Sequence, residues 1–138
     1  MEPRISLLTL AVTDLAKSVA FYKALGWERT GTEEGVAFFQ LGTMVLSLYP
    51  RDDLARDMDV SPHGEGFAGI TIAYNVRTKE EVAEILAQFE AAGGRIVRHA
   101  FTAEWGGTIG FAADVDGHVW EIAHNPQSPL QPDGSFRI

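Results

Sequence analysis

Four histidines (His63, His99, His118 and His124) and one glutamate set between apolar neighbours, Trp120-Glu121-Ile122, are the side chains best suited to metal ligation or acid–base work. The chain has no cysteine, which excludes thiolate ligands, a cysteine nucleophile and disulfides. A transition-metal site takes about three or four protein donors, and the histidine spacing does not supply them. His118 and His124 are expected on one face of a strand, but six strand steps separate them by roughly 20 Å. His63 falls in a polar stretch and His99 late in a strand, so both read as surface groups. Glu121 alternates with Trp120 and Ile122 and therefore faces the opposite side of its strand. Buried there without a metal, its carboxyl would have a raised pKa and would serve as a general base or as the partner of a ligand amine or hydroxyl. The alternative is a structural hydrogen bond.

Ser47 and Tyr49 share a strand face and would reach either a ligand or ordinary internal partners. Phe38, Trp105 and Phe111 are aromatic walls for a flat apolar ligand, or else core. Of these, Trp105 is taken as a pocket residue, because Gly106-Gly107 beside it marks a loop or a close backbone approach. Trp27 and Trp120 are assigned to packing. Asp52, Asp53, Asp57 and Asp59 match no calcium-loop pattern and read as a solvated face, with a hard-cation site as the alternative.

The elements that must position these residues follow from local signals. Ile5–Val12 is apolar and rich in β-branched residues, which predicts a buried strand running into a helix N-cap at Thr13-Asp14. Leu15, Val19, Phe21, Tyr22 and Leu25 give the helix an apolar face, and Gly26 closes it. Strands are expected near Trp27–Gly31, Gly35–Leu41 and Met44–Tyr49. The plan then repeats: a strand over Phe67–Tyr74, a capping box at Thr78-Lys79-Glu80-Glu81, a helix lined by Val82, Ile85, Leu86 and Phe89, and a stop at Gly93-Gly94. Further strands fall near Arg95–Ala100, Thr108–Ala113 and Val119–Ala123, with Asp116-Gly117 as the turn before the last. The order is βαβββ twice. A polar linker, 51–66, joins half-repeats 1–50 and 67–126 in one domain, and its Asp52–Asp57 segment is expected to form a short helical turn. A tail, 127–138, is poor in core residues.

At 138 residues with 46% hydrophobic content, the chain is ample for one core and too short for two independent ones. A formal net charge of −8 opposes nucleic acid and anionic membranes as partners. The N-terminal apolar run is too short for a signal or spanning segment, so a cytoplasmic protein is expected.

The stretch Asp14-Leu15-Ala16-Lys17-Ser18-Val19-Ala20-Phe21-Tyr22-Lys23-Ala24-Leu25-Gly26-Trp27, with Trp105-Gly106-Gly107 and Asp114-Val115-Asp116-Gly117-His118-Val119-Trp120-Glu121, resembles signatures of the glyoxalase/bleomycin-resistance/extradiol-dioxygenase superfamily (vicinal oxygen chelate fold). Val115 replaces that family's usual proline. The resemblance implies an α+β fold with two βαβββ half-repeats forming curved mixed sheets around a cavity. Small proteins of this sort are often symmetric dimers, so a homodimer is expected, with the half-repeats pairing either within one chain or across the dimer. The resemblance also implies a set of four ligand positions for metal-dependent members, which fall here on Leu7, Ser47, Gly69 and Glu121.

Leucine and glycine cannot ligate a metal, and a lone serine hydroxyl is a poor donor. The sequence therefore leads to a protein with no cofactor, binding a small, partly apolar molecule. Leu7, Ser47, Tyr49, Gly69, Trp105 and Glu121 would line the site, with Glu121 as its candidate catalytic group. The alternatives are a divalent-metal enzyme of the glyoxalase or dioxygenase type, with Glu121 as a ligand, and an interaction module whose cavity is vestigial.

Overall fold

A computed structural model describes residues 6–59, 61–64, 68 and 70–136. The chain divides into two compact units, 1–68 and 69–138. In the first, β1 (Leu7–Val12), α1 (Leu15–Ala24), β2 (Arg29–Thr30), β3 (Ala37–Leu41), β4 (Met44–Pro50) and α2 (Arg51–Asp57) follow in order. The second contains β5 (Ile72–Asn75), α3 (Lys79–Ala91), β6 (Arg95–Thr102), β7 (Thr108–Ala113) and β8 (Val119–His124). Each unit holds a four-stranded mixed sheet, ordered β1-β4-β3-β2 and β5-β8-β7-β6. The first strand of each pairs parallel with the last, and the other pairs are antiparallel.

Local chemistry sets the helix ends. The Asp14 side chain accepts from the Lys17 backbone N–H at 3.0 Å, satisfying a donor of the first turn of α1. At the other end Gly26 takes φ +93°, a conformation that a side chain disfavours. The expected capping box forms at α3: Thr78 accepts from the Glu81 N–H, and the Glu81 carboxylate accepts from the Thr78 N–H.

Each sheet buries one face under its helix. In the first unit, Leu10, Val12, Ala37, Phe39, Leu46 and Leu48 are buried with Phe21 and Tyr22 of α1. The Tyr22 ring stacks on Trp27 at 5.3 Å and lies 5.8 Å from Phe39. Trp27 thus packs outside the sheet, and β2 shrinks from the expected five residues to Arg29–Thr30. In the second unit, Phe89 of α3 meets Trp120 at 6.0 Å, as expected of a packing tryptophan. Gly110 sits so close beneath the helix that an added Cβ would lie 2.6 Å from Leu86 Cδ1 and 3.2 Å from the Ala100 backbone nitrogen.

Other boundaries also move. β5 begins at Ile72, and the expected start at Phe67 lies outside the described residues. β6 runs on to Thr102, with irregularities between Ile96 and Arg98 and between Arg98 and Phe101. His118 precedes β8 in the turn, its N–H held by the Asp114 carboxylate, so it does not share a strand face with His124. No described helix is long and apolar enough to cross a membrane.

Candidate functional site

Alternation along β8 sends Trp120 and Ile122 under α3 and leaves Glu121 and Ala123 on the opposite face. The ladder places Glu121 beside Ala73 on one side and Phe111 on the other, and Ala123 beside Asn75. Over the β5–β8 part of this face opens a cavity of about 410 Å³, lined by Ala73, Tyr74, Asn75, Trp105, Glu121, Ala123, Asn125, Leu130, Gly134 and Phe136. All ten belong to the second unit. Among the described residues, no hydrogen bond or ion pair engages the half-buried Glu121 carboxylate, which leaves its oxygens available to a molecule in the cavity.

Trp105 stands in the loop between β6 and β7. That loop closes with Ala103 N–H donating to the Gly107 carbonyl at 2.8 Å and Gly106 N–H to the Ala103 carbonyl at 2.9 Å. The indole folds back over buried Gly107, where an added Cβ would stand inside the ring. Gly107 thus permits the close approach that sets Trp105 against the cavity.

A third wall comes from the tail, which no local signal places at the site. Asn125 Oδ1 accepts from the backbone N–H groups of Gln127 at 2.9 Å and Ser128 at 3.3 Å, turning the chain after β8. The Gln127 side-chain amide donates to the Trp105 carbonyl at 3.2 Å, tying the tail to the Trp105 loop. Further on, the Arg77 guanidinium donates to the carbonyls of Gln131 at 3.2 Å and Pro132 at 3.3 Å. Asp133 accepts from the Ser135 N–H and hydroxyl at 2.9 and 2.8 Å, bonds that hold its carboxyl below the usual aspartate range. These ties present Leu130, Gly134 and Phe136 to the cavity. The sequence signals were the turn formers Asn125-Pro126 and Asp133-Gly134, but nothing local showed where the turns would lead.

The remaining expected site residues lie elsewhere. Leu7, 43% exposed, and Ser47, 3% exposed, are in the first unit's sheet, where Ser47 stands between Thr9 and Phe38. The Tyr49 hydroxyl donates to Asp57 at 2.9 Å, and this bond holds its pKa above the ordinary tyrosine value. Its proton is therefore already committed. Gly69 lies outside the described residues. By ladder register, the counterpart of Leu7 in the second unit is Thr71, one step before the Ile72–Trp120 pair, where its hydroxyl donates to the Val119 carbonyl at 3.1 Å.

These positions do not fit a transition metal. Leu7 has no donor, Ser47 and Thr71 offer only neutral hydroxyls, and Glu121 alone brings a carboxylate. Among the described residues no group of three or more His, Asp or Glu side chains is placed to hold an ion.

Residues 4–122 match the family model for the Glyoxalase/Bleomycin resistance protein/Dioxygenase superfamily. The crystal structure of a glyoxalase-related enzyme from Fulvimarina pelagi is 34% identical with a TM-score of 0.88, covering 99% of this chain and 98% of that one. A hypothetical protein from S. aureus is 26% identical with a TM-score of 0.79, covering 91% and 95%. A lactoylglutathione lyase from Agrobacterium tumefaciens, 23% identical with a TM-score of 0.69 and coverage of 92% and 97%, shares the fold. No curated protein matches the chain.

Proposed function

The chain belongs to the glyoxalase/bleomycin resistance protein/dioxygenase superfamily, and from that premise we propose that its second unit binds a small, partly apolar molecule in the Glu121 cavity without a resident metal. The observation that carries this is the Glu121 carboxylate opening, with no described partner, onto walls built from Trp105, Leu130 and Phe136. Such a site takes a flat apolar body and orients it through one amine or hydroxyl donating to the carboxylate. The output is sequestration, or a proton transfer in which Glu121 acts as the base.

A second reading, an enzyme of the glyoxalase or dioxygenase type built around a divalent ion, draws on the names of relatives. It needs at least two strong donors beyond Glu121, and Leu7, Ser47, Gly69 and Thr71 provide none. Elemental analysis after incubation with nickel, zinc, manganese or ferrous iron, with thermal melting alongside, separates the two. We expect neither stoichiometric metal nor a raised melting temperature. One ion retained per chain with a stabilised fold would overturn the metal-free site. We also propose a cytoplasmic homodimer, which sedimentation would reveal as twice the chain mass.

A further inference from the structure

The ladder carries the Glu121 row across the whole sheet. Ala73 pairs with Glu121, Glu121 with Phe111, and Phe111 with Arg98 of β6. Directly paired residues share a face, so all four point away from α3. Neighbouring strands lie about 4.8 Å apart, which puts the Arg98 and Glu121 backbones about 10 Å from each other with the Phe111 ring between them.

Arg98 is exposed but held in place: its Cζ lies 3.4 Å from the centroid of the Phe101 ring, and Phe101 pairs with Ile109 on the same face. Stacking engages the flat side of a guanidinium and leaves its in-plane N–H donors free, which is the geometry that grips a carboxylate through two bonds. No described carboxylate forms an ion pair with Arg98. In a chain of net charge −8, with 19 acidic residues, that leaves an oriented cation on the face that also carries Glu121.

We propose that Arg98 anchors an anionic group of the ligand, so that the molecule bound is a small aromatic or unsaturated carboxylate that reaches out of the cavity, from a hydroxyl or amine held at Glu121, past Phe111 to Arg98, two residues that lie beyond the cavity's own lining. This rests on the proposed cavity function and names its substrate class.

The test is a calorimetric titration with matched pairs of aryl compounds, 4-hydroxycinnamate against 4-hydroxycinnamamide and 4-aminocinnamate against 4-aminocinnamamide, which differ only in a carboxylate or a neutral amide. The wild type should prefer the acids by roughly tenfold. Arg98→Gln should abolish that preference while leaving the amides bound as before, and Arg98→Glu should reverse it. An acid preference that survives both substitutions overturns the anchor and leaves the cavity function standing. If none of the four compounds binds the wild type saturably, both are overturned.

Discussion

The two units solve the same packing problem on one side of the sheet and diverge on the other. Under the helices the correspondence is close. Leu46 and Leu48 of β4 stand where β8 has Trp120 and Ile122, and Ala37 of β3 stands where β7 has Gly110. All are buried and apolar or small. On the far face the first unit's row reads Thr9, Ser47, Phe38, Thr30, and the second's reads Ala73, Glu121, Phe111, Arg98. Uncharged residues at the second and fourth places of one row give way to a carboxylate and a guanidinium in the other. One scaffold thus carries an uncharged row and a row of opposite charges, because strand alternation lets one face change without disturbing the other.

The correspondence under the helices is most sharply tested at Gly110. Gly110→Val should lower unfolding free energy by about 2–3 kcal/mol, since its two methyls add to a Cβ that already crowds Leu86 and the Ala100 backbone. Gly110→Ala should cost about 1 kcal/mol, because the Leu86 terminus can shift and Ala37 already carries a methyl at the matching place. Urea unfolding of the two variants measures both. Equal costs would mean that backbone clash, rather than helix packing, sets the demand for glycine.

Divergence on the open face predicts an asymmetry in binding. Glu121→Ala should weaken an aryl alcohol or amine by about tenfold or more, the value of a hydrogen bond to a charged acceptor. Ser47→Ala, at the matching place in the first unit, should change it by less than about twofold. Calorimetry on both variants decides, and a comparable loss from Ser47→Ala would show that the first unit's row also contributes to binding.

Much of this contrast was legible from sequence because it is local. The Asp14 cap, the Thr78–Glu81 capping box and the alternation that turns Glu121 away from Trp120 each depend on neighbours within four residues. Trp105 was legible as well, through the adjoining glycines. What escaped was set at a distance. Trp27 left β2 to stack on Tyr22, and the irregularities in β6 that bring Arg98 opposite Phe111 have no marker in Arg95-Ile96-Val97-Arg98. The tail's place at the cavity depends on Arg77, more than fifty residues upstream of the carbonyls it binds.

That tail is a second difference between the units: a segment beyond the last strand forms a wall of the cavity. Arg77→Gln removes both guanidinium bonds to Gln131 and Pro132. Because such exposed bonds contribute little to global stability, melting should move by no more than about 1–2 °C. The effect should appear locally, as faster amide exchange over residues 127–136 and a loss of affinity of about twofold to fivefold. Unchanged exchange would show that the turns hold the tail without Arg77.

Asp133 should give the smallest effect, and a directional one. Its carboxyl lies below the ordinary value of 3.8 because Ser135 donates to it through both backbone and side chain, with the Arg77 charge adding to the shift. A depressed carboxylate contributes stability that is fully present above its unfolded value and is lost as pH falls through the folded one. Tail order, followed through the Phe136 ring resonances, should therefore stay flat from neutrality to about pH 4 and decline only below it. Asp133→Asn should leave the tail at neutral pH resembling the wild type in acid. A wild-type transition centred well above pH 4 would assign the pH response to groups other than this turn, and the tail's hold on the cavity would then rest on Arg77 and Asn125.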